Sequence, residues 1–427
     1  MTTAPISTSD HGLSRARVRL ALLALALGGF AIGCTEFVAM GLLPNIARQL
    51  IPTVYAVSPS EANSQAGLLV SAYAAGVVVG APTIAALSAR FPRRTLLLWL
   101  LVAFTVTTIA SAVLPTFGLV LAARFLAGLP HGAYFGVAAL VAASLMGPGN
   151  RGRGIAFVLG GLTIANVIGV PSITFLGQVA GWRVAYLAVA VAFAITFVAV
   201  FFVVPKQPGD PKATVRRELS IFTRPQVWFA LAIGAIGFGG FFAVFTYIAP
   251  IVTTVTGLPE AVVPLVLIVG GIGMTVGNFV GGYVADHYLT RGLFVFFGVL
   301  LVGLLGIAFT AQTPVGVFVF IFLLGAASAA VSPTIQTRLI NVAGDSQTLA
   351  AAINHASLNI GNSAGAALGA VAVARGLGYL SVAWVGVVLV VLGLIIATIS
   401  FSTERRTLHR AGSLGLEQNA ILDRSFP

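Results

Sequence analysis

Long apolar runs follow one another along almost the whole chain, separated by short polar segments. A run of about 20 apolar residues is long enough to cross a bilayer as a helix. We identify twelve such runs, at 20–43, 65–88, 95–115, 117–147, 154–178, 184–205, 226–253, 262–285, 293–311, 314–337, 347–374 and 378–401. The first run is longer than a signal-peptide core, so we do not expect it to be cleaved. The pattern predicts an all-α membrane protein with two bundles of six transmembrane helices.

A polar, basic and proline-containing stretch, KQPGDPKATVRRELSIFTRP, separates the sixth run from the seventh and indicates a linker. The tail that follows the last run is polar, and we expect it to be disordered. The expected segments are a tail at 1–18, a bundle at 19–205, the linker at 206–225, a second bundle at 226–403 and a tail at 404–427.

The two halves show weak self-similarity at an offset of about 196–197 residues, a spacing that aligns Gly128 with Gly325 and Gly169 with Gly365. Parallel repeats of this kind occur in membrane transporters, which bind substrate near the midplane between the halves. The repeat therefore predicts a binding site between the two bundles.

Composition and charge agree with a membrane protein. The chain is 58% hydrophobic and 8% charged, whereas a soluble domain is about 25% charged. If the N-terminus is cytoplasmic, nineteen of the 23 Lys and Arg residues lie on the cytoplasmic side, and only Arg48, Arg183 and Arg375 lie outside. This asymmetry follows the positive-inside rule. It predicts cytoplasmic termini and explains the net charge of +12 without a nucleic-acid partner.

Glu36 is the one acidic residue well inside an apolar run. A carboxylate in a span costs about 2.5 to 3.5 kcal/mol on insertion scales, so it marks a functional site by default. Arg124 is the second costly residue, and Gly128 and His131 follow it on the same helical face. At about 1.5 Å per residue, Glu36 and Arg124 lie about 10 Å below the same surface. Equal depth permits an ion pair.

Two interpretations of these residues stay open. Glu36, Arg124 and His131 can form a proton-coupling site, in which desolvation and the guanidinium control the protonation of the carboxyl. Alternatively, Glu36 and Arg124 form a fixed ion pair between two helices, and His131 only packs. The chain has a single cysteine, Cys34, which excludes an internal disulfide. His131 has no second His or Cys at metal-ligand spacing, so we expect no metal site.

The segment 160–183 is rich in small residues, which let helices approach closely. We expect Pro171 to kink the fifth span and Gly169 to lie in a tight contact between the two halves. Ordinary helix packing is the alternative. Thr163 and Asn166 can face a cavity.

Polar side chains in the later spans are candidates for substrate contact. His355, Asn359 and Asn362 follow i, i+4, i+7 spacing, and such a polar stripe faces a cavity or a neighbouring helix. Hydrogen bonding between helices is an equal alternative. Aromatic residues can supply apolar walls, although packing is their more common role. The candidates for substrate contact are Tyr134, Asn166, Phe245, Tyr247, His355, Asn359 and Asn362.

Enzyme chemistry has no support in the sequence. The chain contains no phosphate-binding loop with lysine, no assembly of serine, histidine and acid, and no redox motif. We therefore expect neither an enzyme nor a cofactor.

Four segments resemble the signatures of one family. They are TEFVAMGLLPNIA at 35–47, GAPTIAALSARFPRR at 80–94, RFLAGLPHG at 124–132 and the small-residue segment at 160–183. Over about residues 19–403 the chain resembles the twelve-span drug:proton antiporters of the major facilitator superfamily. The nearest branch comprises the arabinose-efflux-permease-like proteins and the chloramphenicol exporters.

The chain departs from the family pattern at several positions. The aspartate of the loop between spans two and three is Ala89 here, and a glycine of that loop is Pro92. The antiporter motif of the fifth span has an extra residue between Gly169 and Pro171. The resemblance implies gating or conformational roles for Arg90, Arg93, Arg94, Gly169, Pro171 and Asp286.

The resemblance implies a monomeric, proton-coupled exporter in the inner membrane that works by alternating access. Its expected partners are protons, the lipid bilayer and a small neutral or amphipathic solute, such as a phenicol antibiotic. A sugar or nucleoside permease is the alternative within transport. A receptor or scaffold that does not transport, built on the same fold, is the alternative outside transport.

Overall fold

The computed structural model describes residues 14–88, 91–147, 151–208, 220–343 and 347–423. The regular structure of these residues is helical, with no strand. The first six spans are Arg15–Gly41, Pro59–Ser88, Arg93–Val113, Phe117–Met146, an interrupted fifth span and Trp182–Val203. The fifth span consists of the helices Arg151–Ile164 and Val170–Ala180, joined by the π-helical turn Ala165–Gly169.

The second half repeats this arrangement. Span 7 comprises the helices Pro225–Ala232 and Gly239–Phe245 with the π-helical turn Ile233–Gly237 between them, and it continues through Ile248–Pro250 and Ile251–Val255. Spans 8 and 9 form the continuous assignment Val263–Thr310, in which Tyr288 has a non-helical backbone and marks the turn between them. The remaining spans are Pro314–Ala343, Gln347–Ala374 and Ser381–Asp423.

Eleven helices in the described part of the chain are long and apolar enough to cross a membrane. The expected span at 347–374 corresponds to the 28-residue helix Gln347–Ala374, which is not among those eleven and is more polar than its neighbours. The prediction of an all-helical, multi-pass membrane protein is confirmed.

Helix contacts repeat between the two halves. In the first half, Gly76 and Gly80 of span 2 lie against the backbone of span 4 at Phe125 and Leu129. In the second half, the matching contacts join Gly273 and Gly277 of span 8 to Phe322 and Ala326 of span 10. A Cβ at any of the four glycines would collide with a carbonyl oxygen of the facing helix. These pairs are separated by the sequence offset of 197 residues, so the self-similarity reflects a structural repeat.

Two segments differ from the sequence-based expectation, and a third lies partly outside the described residues. The polar tail is helical as far as Asp423, because the last helix continues from Ser381 to that residue. The outer segment 44–64 contains the short helices Leu43–Leu50 and Pro52–Val57, and span 2 begins at Pro59. Residues 209–219 of the expected linker lie outside the described residues, and the next helix begins at Pro225.

The bundle has two faces, which we name by their connections. The linker face carries the start of span 1 and residues 204–208, and the distal face carries residues 42–58 and 375–380. Hydrogen bonds join the two halves in the distal part of the bundle. Asn63 Nδ2 donates to Tyr379 Oη at 2.7 Å, and Ser64 Oγ donates to the carbonyl oxygen of Ala370 at 2.6 Å.

Deeper in the bundle, Ser71 and Ser363 each donate a hydroxyl hydrogen bond to the other's carbonyl oxygen, both at 3.1 Å. We call this contact between spans 2 and 11, from Asn63 and Tyr379 down to Ser71 and Ser363, the distal seam.

Candidate functional site

A cavity of about 190 Å³ lies between the two halves, on the linker side of the distal seam. Spans 1, 4 and 5 line it from the first half, and spans 7, 8, 10 and 11 line it from the second half. Its lining combines a carboxyl, two imidazoles, amides and hydroxyls with phenylalanine and leucine side chains. The polar lining residues are Glu36, His131, Thr163, Asn166, Asn278, Ser328, Ser332, Gln336, His355 and Asn359.

Glu36 contributes the acidic group of this cavity. Its side chain is 6% exposed, and Oε1 accepts a hydrogen bond from Asn362 Nδ2 at 3.3 Å. Because Glu36 belongs to span 1 and Asn362 to span 11, this bond connects the two halves. Among the described residues lining the cavity, Glu36 alone is acidic and none is Lys or Arg. A solute therefore meets one carboxyl, two imidazoles and several polar groups that carry no charge.

Arg124 lies behind the cavity wall, and it does not form the expected ion pair with Glu36. Its guanidinium donates from Nη1 to Thr35 Oγ1 at 3.2 Å, whereas Nε and Nη2 are buried without a hydrogen-bond partner. The one ion pair within 4.0 Å in the described part of the chain joins Arg338 and Glu404 instead. The two residues are still neighbours in the structure, because Arg124 bonds to Thr35, the residue directly before Glu36. Depth alone does not fix the direction in which each side chain points.

Two aromatic rings hold the guanidinium of Arg124. Its Cζ lies 4.4 Å from the centroid of the Tyr73 ring and 5.5 Å from that of Tyr186. Cation–π contacts of this kind are strongest when the cation is desolvated, and the Arg124 side chain is fully buried. The arrangement stabilises a cation that no carboxylate neutralises directly.

The two histidines of the cavity face each other across the halves. The ring centroids of His131 and His355 are 6.4 Å apart, and the His355 ring stacks on Phe135 at 5.6 Å. His131 Nδ1 and Tyr73 Oη form a hydrogen bond of 3.0 Å, and His131 lines the cavity. Histidine, tyrosine and arginine therefore form one connected group behind Glu36.

Among the described residues, no group of three or more His, Cys, Asp and Glu side chains could hold a metal ion.

The fifth span is irregular at the cavity, as expected for a segment with Pro171. The irregularity is the π-helical turn Ala165–Gly169, in which Val170 N–H bonds to Ala165 O. Proline lacks an N–H, so Pro171 cannot supply the next regular helical bond. The turn places Asn166 in the cavity lining, and its backbone lies against Gly271 of span 8. Asn166 therefore marks the contact of span 5 with the other half.

Gly169 does not lie between the halves, which corrects the sequence-based expectation. A Cβ at Gly169 would come within 2.6 Å of Cys34 Sγ and 2.8 Å of the Phe30 ring, both in span 1 of the same half. The small residue serves packing within the first bundle. The close approach across the halves lies three residues earlier, at Asn166.

The structure separates the substrate-contact candidates into two groups. Asn166, His355 and Asn359 line the cavity, whereas Tyr134, Phe245, Tyr247 and Asn362 are not among its lining residues. The phenol of Tyr134 donates to Leu25 O at 2.9 Å and that of Tyr247 to Ala366 O at 3.3 Å. Both tyrosines thus bridge helices.

Two of the gating candidates, Arg93 and Arg94, lie near the linker face. Arg94 donates to the carbonyl oxygen of Phe201, and the backbone N–H of Arg93 donates to Gln207 O at 3.1 Å. Gln207 Nε2 in turn donates to Ser144 Oγ at 2.7 Å. These bonds attach the start of the linker to the first bundle. Arg90 and the side chain of Asp286 lie outside the described residues.

Sequence reasoning missed several residues of the site. Tyr73, Asn278, Ser332 and Gln336 contact Arg124 or line the cavity, but none was a candidate. Asn278 and Gln336 are amides inside apolar spans, so the cost criterion that identified Glu36 could have found them. Tyr73 offered no such signal, because a lone tyrosine in a span is usual for packing.

A second cavity, of about 480 Å³, lies at the distal face on the other side of the seam. Arg48 and Glu260 line it together with the seam residues Asn63 and Tyr379. The distal seam thus separates two cavities along one path between the halves.

Comparison with known proteins agrees with this architecture. The sequence model of the Major Facilitator Superfamily matches residues 25–344 and 248–424. The chain is 37% identical to the inner membrane transport protein YdhP of Escherichia coli K12 over 397 residues, which cover 93% of this chain and 100% of that protein. It is 34% identical to the chloramphenicol resistance protein of Streptomyces lividans over 382 residues, which cover 88% of this chain and 95% of that protein.

Two solved structures show the same fold. The D-xylose–proton symporter has a TM-score of 0.70 and 17% identity, and the match covers 88% of this chain and 97% of that chain. A bacterial homologue of the human lysosomal transporter Spinster, in an inward-facing and unoccupied conformation, has a TM-score of 0.65 and 18% identity, and the match covers 93% of this chain and 99% of that chain. The relatives are transporters, which confirms the expectation that this chain is not an enzyme.

Proposed function

The chain belongs to the major facilitator superfamily, and from that membership we propose that it is a proton-coupled exporter of a small neutral or amphipathic solute. The observation that carries the proposal is the position of Glu36, a carboxyl that lines the cavity between the halves and bonds to the other half. In alternating access, this group takes a proton when the cavity faces outside and releases it when the cavity faces the cytoplasm.

The proposed orientation places the linker face and both termini in the cytoplasm, on the strength of the Lys and Arg asymmetry. In that orientation the cavity lies on the cytoplasmic side of a closed distal seam. The described conformation would then be the one that releases protons and accepts cargo.

The lining of the cavity supports the choice of cargo. Neutral hydrogen-bonding groups such as Asn166, Gln336 and Asn359 alternate with the rings of Phe37 and Phe242. Such a surface suits a solute with an apolar part and several hydroxyl or amide groups, because polar groups fix orientation within an otherwise apolar site. Phenicol antibiotics have this chemistry, and one relative is named for chloramphenicol resistance.

The energy source is sufficient for export. One charge that crosses a potential of 100 mV contributes about 2.3 kcal/mol. Since about 1.4 kcal/mol corresponds to tenfold in concentration, one inward proton can support about fiftyfold export of a neutral cargo.

The test measures gradient-driven transport in proteoliposomes with a panel of phenicols, sugars and nucleosides. We expect the wild type to release protons when its cargo is added, and Glu36→Gln to lose at least about 90% of the gradient-driven rate, since a permanently neutral group cannot carry a proton. Glu61→Gln is the matched control, because Glu61 is an exposed acid in the same half. Unchanged gradient-driven transport in Glu36→Gln would contradict the proposal.

The panel also separates the alternatives. Transport of a sugar or nucleoside alone would assign a permease for that solute. The absence of both transport and proton release with every solute would favour a receptor or scaffold.

A further inference from the structure

We propose that the contact between Asn362 and Glu36 depends on whether Glu36 is protonated. Asn362 thereby links protonation of Glu36 to closure of the distal seam. Protonated Glu36 is held by Asn362 of the other half, whereas ionised Glu36 leaves Asn362 and pairs with Arg124 of its own half. This inference rests on the proposed function, because it assigns the contact through which the carboxyl acts. It also gives Asn362 a coupling role in place of the substrate contact predicted from the sequence.

The unpaired atoms around Glu36 carry the argument. Asn362 is 1% exposed, and while its Nδ2 donates to Glu36 Oε1 at 3.3 Å, its Oδ1 is buried without a partner. An ionised carboxylate has no proton to give, but a protonated carboxyl adds one O–H donor. The protonated form can therefore make two hydrogen bonds with the Asn362 amide. The protonated carboxyl would donate to the buried Asn362 Oδ1. The ionised form leaves this acceptor unpaired, which costs free energy.

Arg124 offers the complementary partner. Its Nε and Nη2 are buried donors without a partner, and its Nη1 is bonded to Thr35, the residue directly before Glu36. An ionised carboxylate accepts from two guanidinium N–H groups at once, and such charge-assisted pairs are about twice as strong as neutral hydrogen bonds. A protonated carboxyl is stabilised far less by the guanidinium of Arg124. The two partners thus prefer opposite protonation states of the same carboxyl.

None of the other titratable groups near Glu36 carries a permanent charge. They are Tyr73 of span 2, His131 of span 4 and His355 of span 11, with Cys34 on span 1 itself. Tyr73 is engaged with His131 and with the face of Arg124. Among the described residues around the carboxyl, the guanidinium is the one fixed charge, so ionisation of Glu36 favours movement towards Arg124.

The bond between Glu36 and Asn362 adds to the distal seam. Asn362 directly precedes Ser363, whose hydroxyl and carbonyl both bond to Ser71 of span 2. When Glu36 leaves Asn362, span 11 loses a contact with the first half beside this seam. One neutral hydrogen bond shifts a two-state equilibrium about fivefold, and two bonds shift it further. Deprotonation would therefore favour separation of the halves at the distal face.

The experiment measures the width of the distal face by double electron–electron resonance in nanodiscs, without cargo. Spin labels at Val57 and Leu377 report it, because both side chains are exposed and lie on opposite halves. Cys34 is replaced by Ala, since it is the chain's single cysteine. We expect a short distance at acidic pH and a growing population of longer distances at alkaline pH.

Three variants test the assignment. Glu36→Gln presents both a donor and an acceptor to Asn362, as the protonated carboxyl does, and should keep the short distance at every pH. Asn362→Leu should raise the population of long distances about fivefold or more at acidic pH and abolish the pH dependence. Ser71→Ala is the matched control, because it removes a seam hydrogen bond at 3.1 Å without touching Glu36. It should widen the face equally at all pH values and keep the pH dependence.

The results separate this inference from the proposed function. The inference would be overturned if the distances between the spin labels in the wild type did not change with pH. It would also be overturned if the distances in Asn362→Leu changed with pH as they do in the wild type. Gradient-driven transport in the wild type would still stand in either case. Asn362→Ala replaces Asn362→Leu if the latter fails to insert, and the same outcomes apply to it.

Discussion

Arg124 is held by the shape of its side chain as well as by its charge. The planar guanidinium lies over Tyr73 and Tyr186 and points Nη1 at Thr35. Lysine has a compact ammonium that cannot stack in this way. The site therefore favours arginine over lysine at position 124, although both side chains carry one positive charge. This preference can be tested directly.

We expect Arg124→Lys to insert normally but to lower the gradient-driven transport rate about tenfold or more. The desolvated cation–π contacts contribute about 2 kcal/mol, and the new ammonium would not match the carboxylate in two bonds. Initial rates normalised to protein in the membrane provide the measurement. Arg48→Lys is the control, because Arg48 also stacks on a tyrosine but lies on the distal face, with Cζ 5.3 Å from the Tyr55 centroid. A wild-type rate in Arg124→Lys would show that charge alone suffices.

The cavity residues that could be predicted from the sequence are those whose polar side chains are costly inside an apolar span. Glu36, His131 and His355 were found because an ionisable group inside an apolar run needs a reason to be there. Partners across the halves could not be found in this way. The bond from Glu36 to Asn362 spans 326 residues of sequence, and span counting gives the depth of a side chain but not its rotation about the helix axis.

Among the elements, the fifth span shows how small residues divide their roles. Gly161 and Gly169 lie against span 1, while Asn166 between them reaches span 8. The π-helical turn Ala165–Gly169 allows this, because an extra residue in a turn rotates the following helix relative to the preceding one. The sequence indicated an irregular span through Pro171 but could not say which glycine faced which half.

Gly169→Leu should therefore destabilise the first bundle rather than block movement between the halves. Overpacking against Cys34 and Phe30 costs about 1 to 3 kcal/mol, which we expect to appear as a lower melting temperature in detergent. Gly160→Leu in the same span is the control, because nothing lies within 4 Å of a Cβ at Gly160. If Gly169→Leu has the melting temperature of the wild type, then span 5 does not pack closely on span 1 at Gly169.

Span positions followed from the apolar runs, since a helix is the structure that satisfies its own backbone in lipid. The end of the last helix did not follow. Hydropathy falls after Ser400, but Glu404 is fixed by the ion pair with Arg338, Oε2 to Nη2 at 2.8 Å, and the helix continues. Hydropathy predicts where a chain crosses the membrane, whereas helix ends depend on contacts that only the folded bundle supplies.

At the scale of the whole molecule, the two halves meet in the distal part and enclose a cavity on the linker side. The contacts are hydrogen bonds between spans 2 and 11 together with the aromatic packing of Phe37 on Phe242 and Phe245, at centroid distances of 6.2 and 5.9 Å. The hydrogen bonds of the distal seam itself join small polar groups, which can exchange these partners for water when the seam opens. The distal seam is thus suited to reversible separation, which alternating access requires.

Locking the distal seam should stop transport. Ser64 Oγ lies 2.6 Å from Ala370 O, so the backbones of spans 2 and 11 approach closely there, and Ser64→Cys with Ala370→Cys should form a disulfide under oxidation. In a Cys34→Ala background, we expect the oxidised double variant to lose transport and to regain it on reduction. Each single cysteine variant should remain active under oxidation, which separates the effect of the bond from that of the substitutions. Full transport by a completely cross-linked protein would mean that the distal face does not open, and alternating access between these two halves would then be wrong.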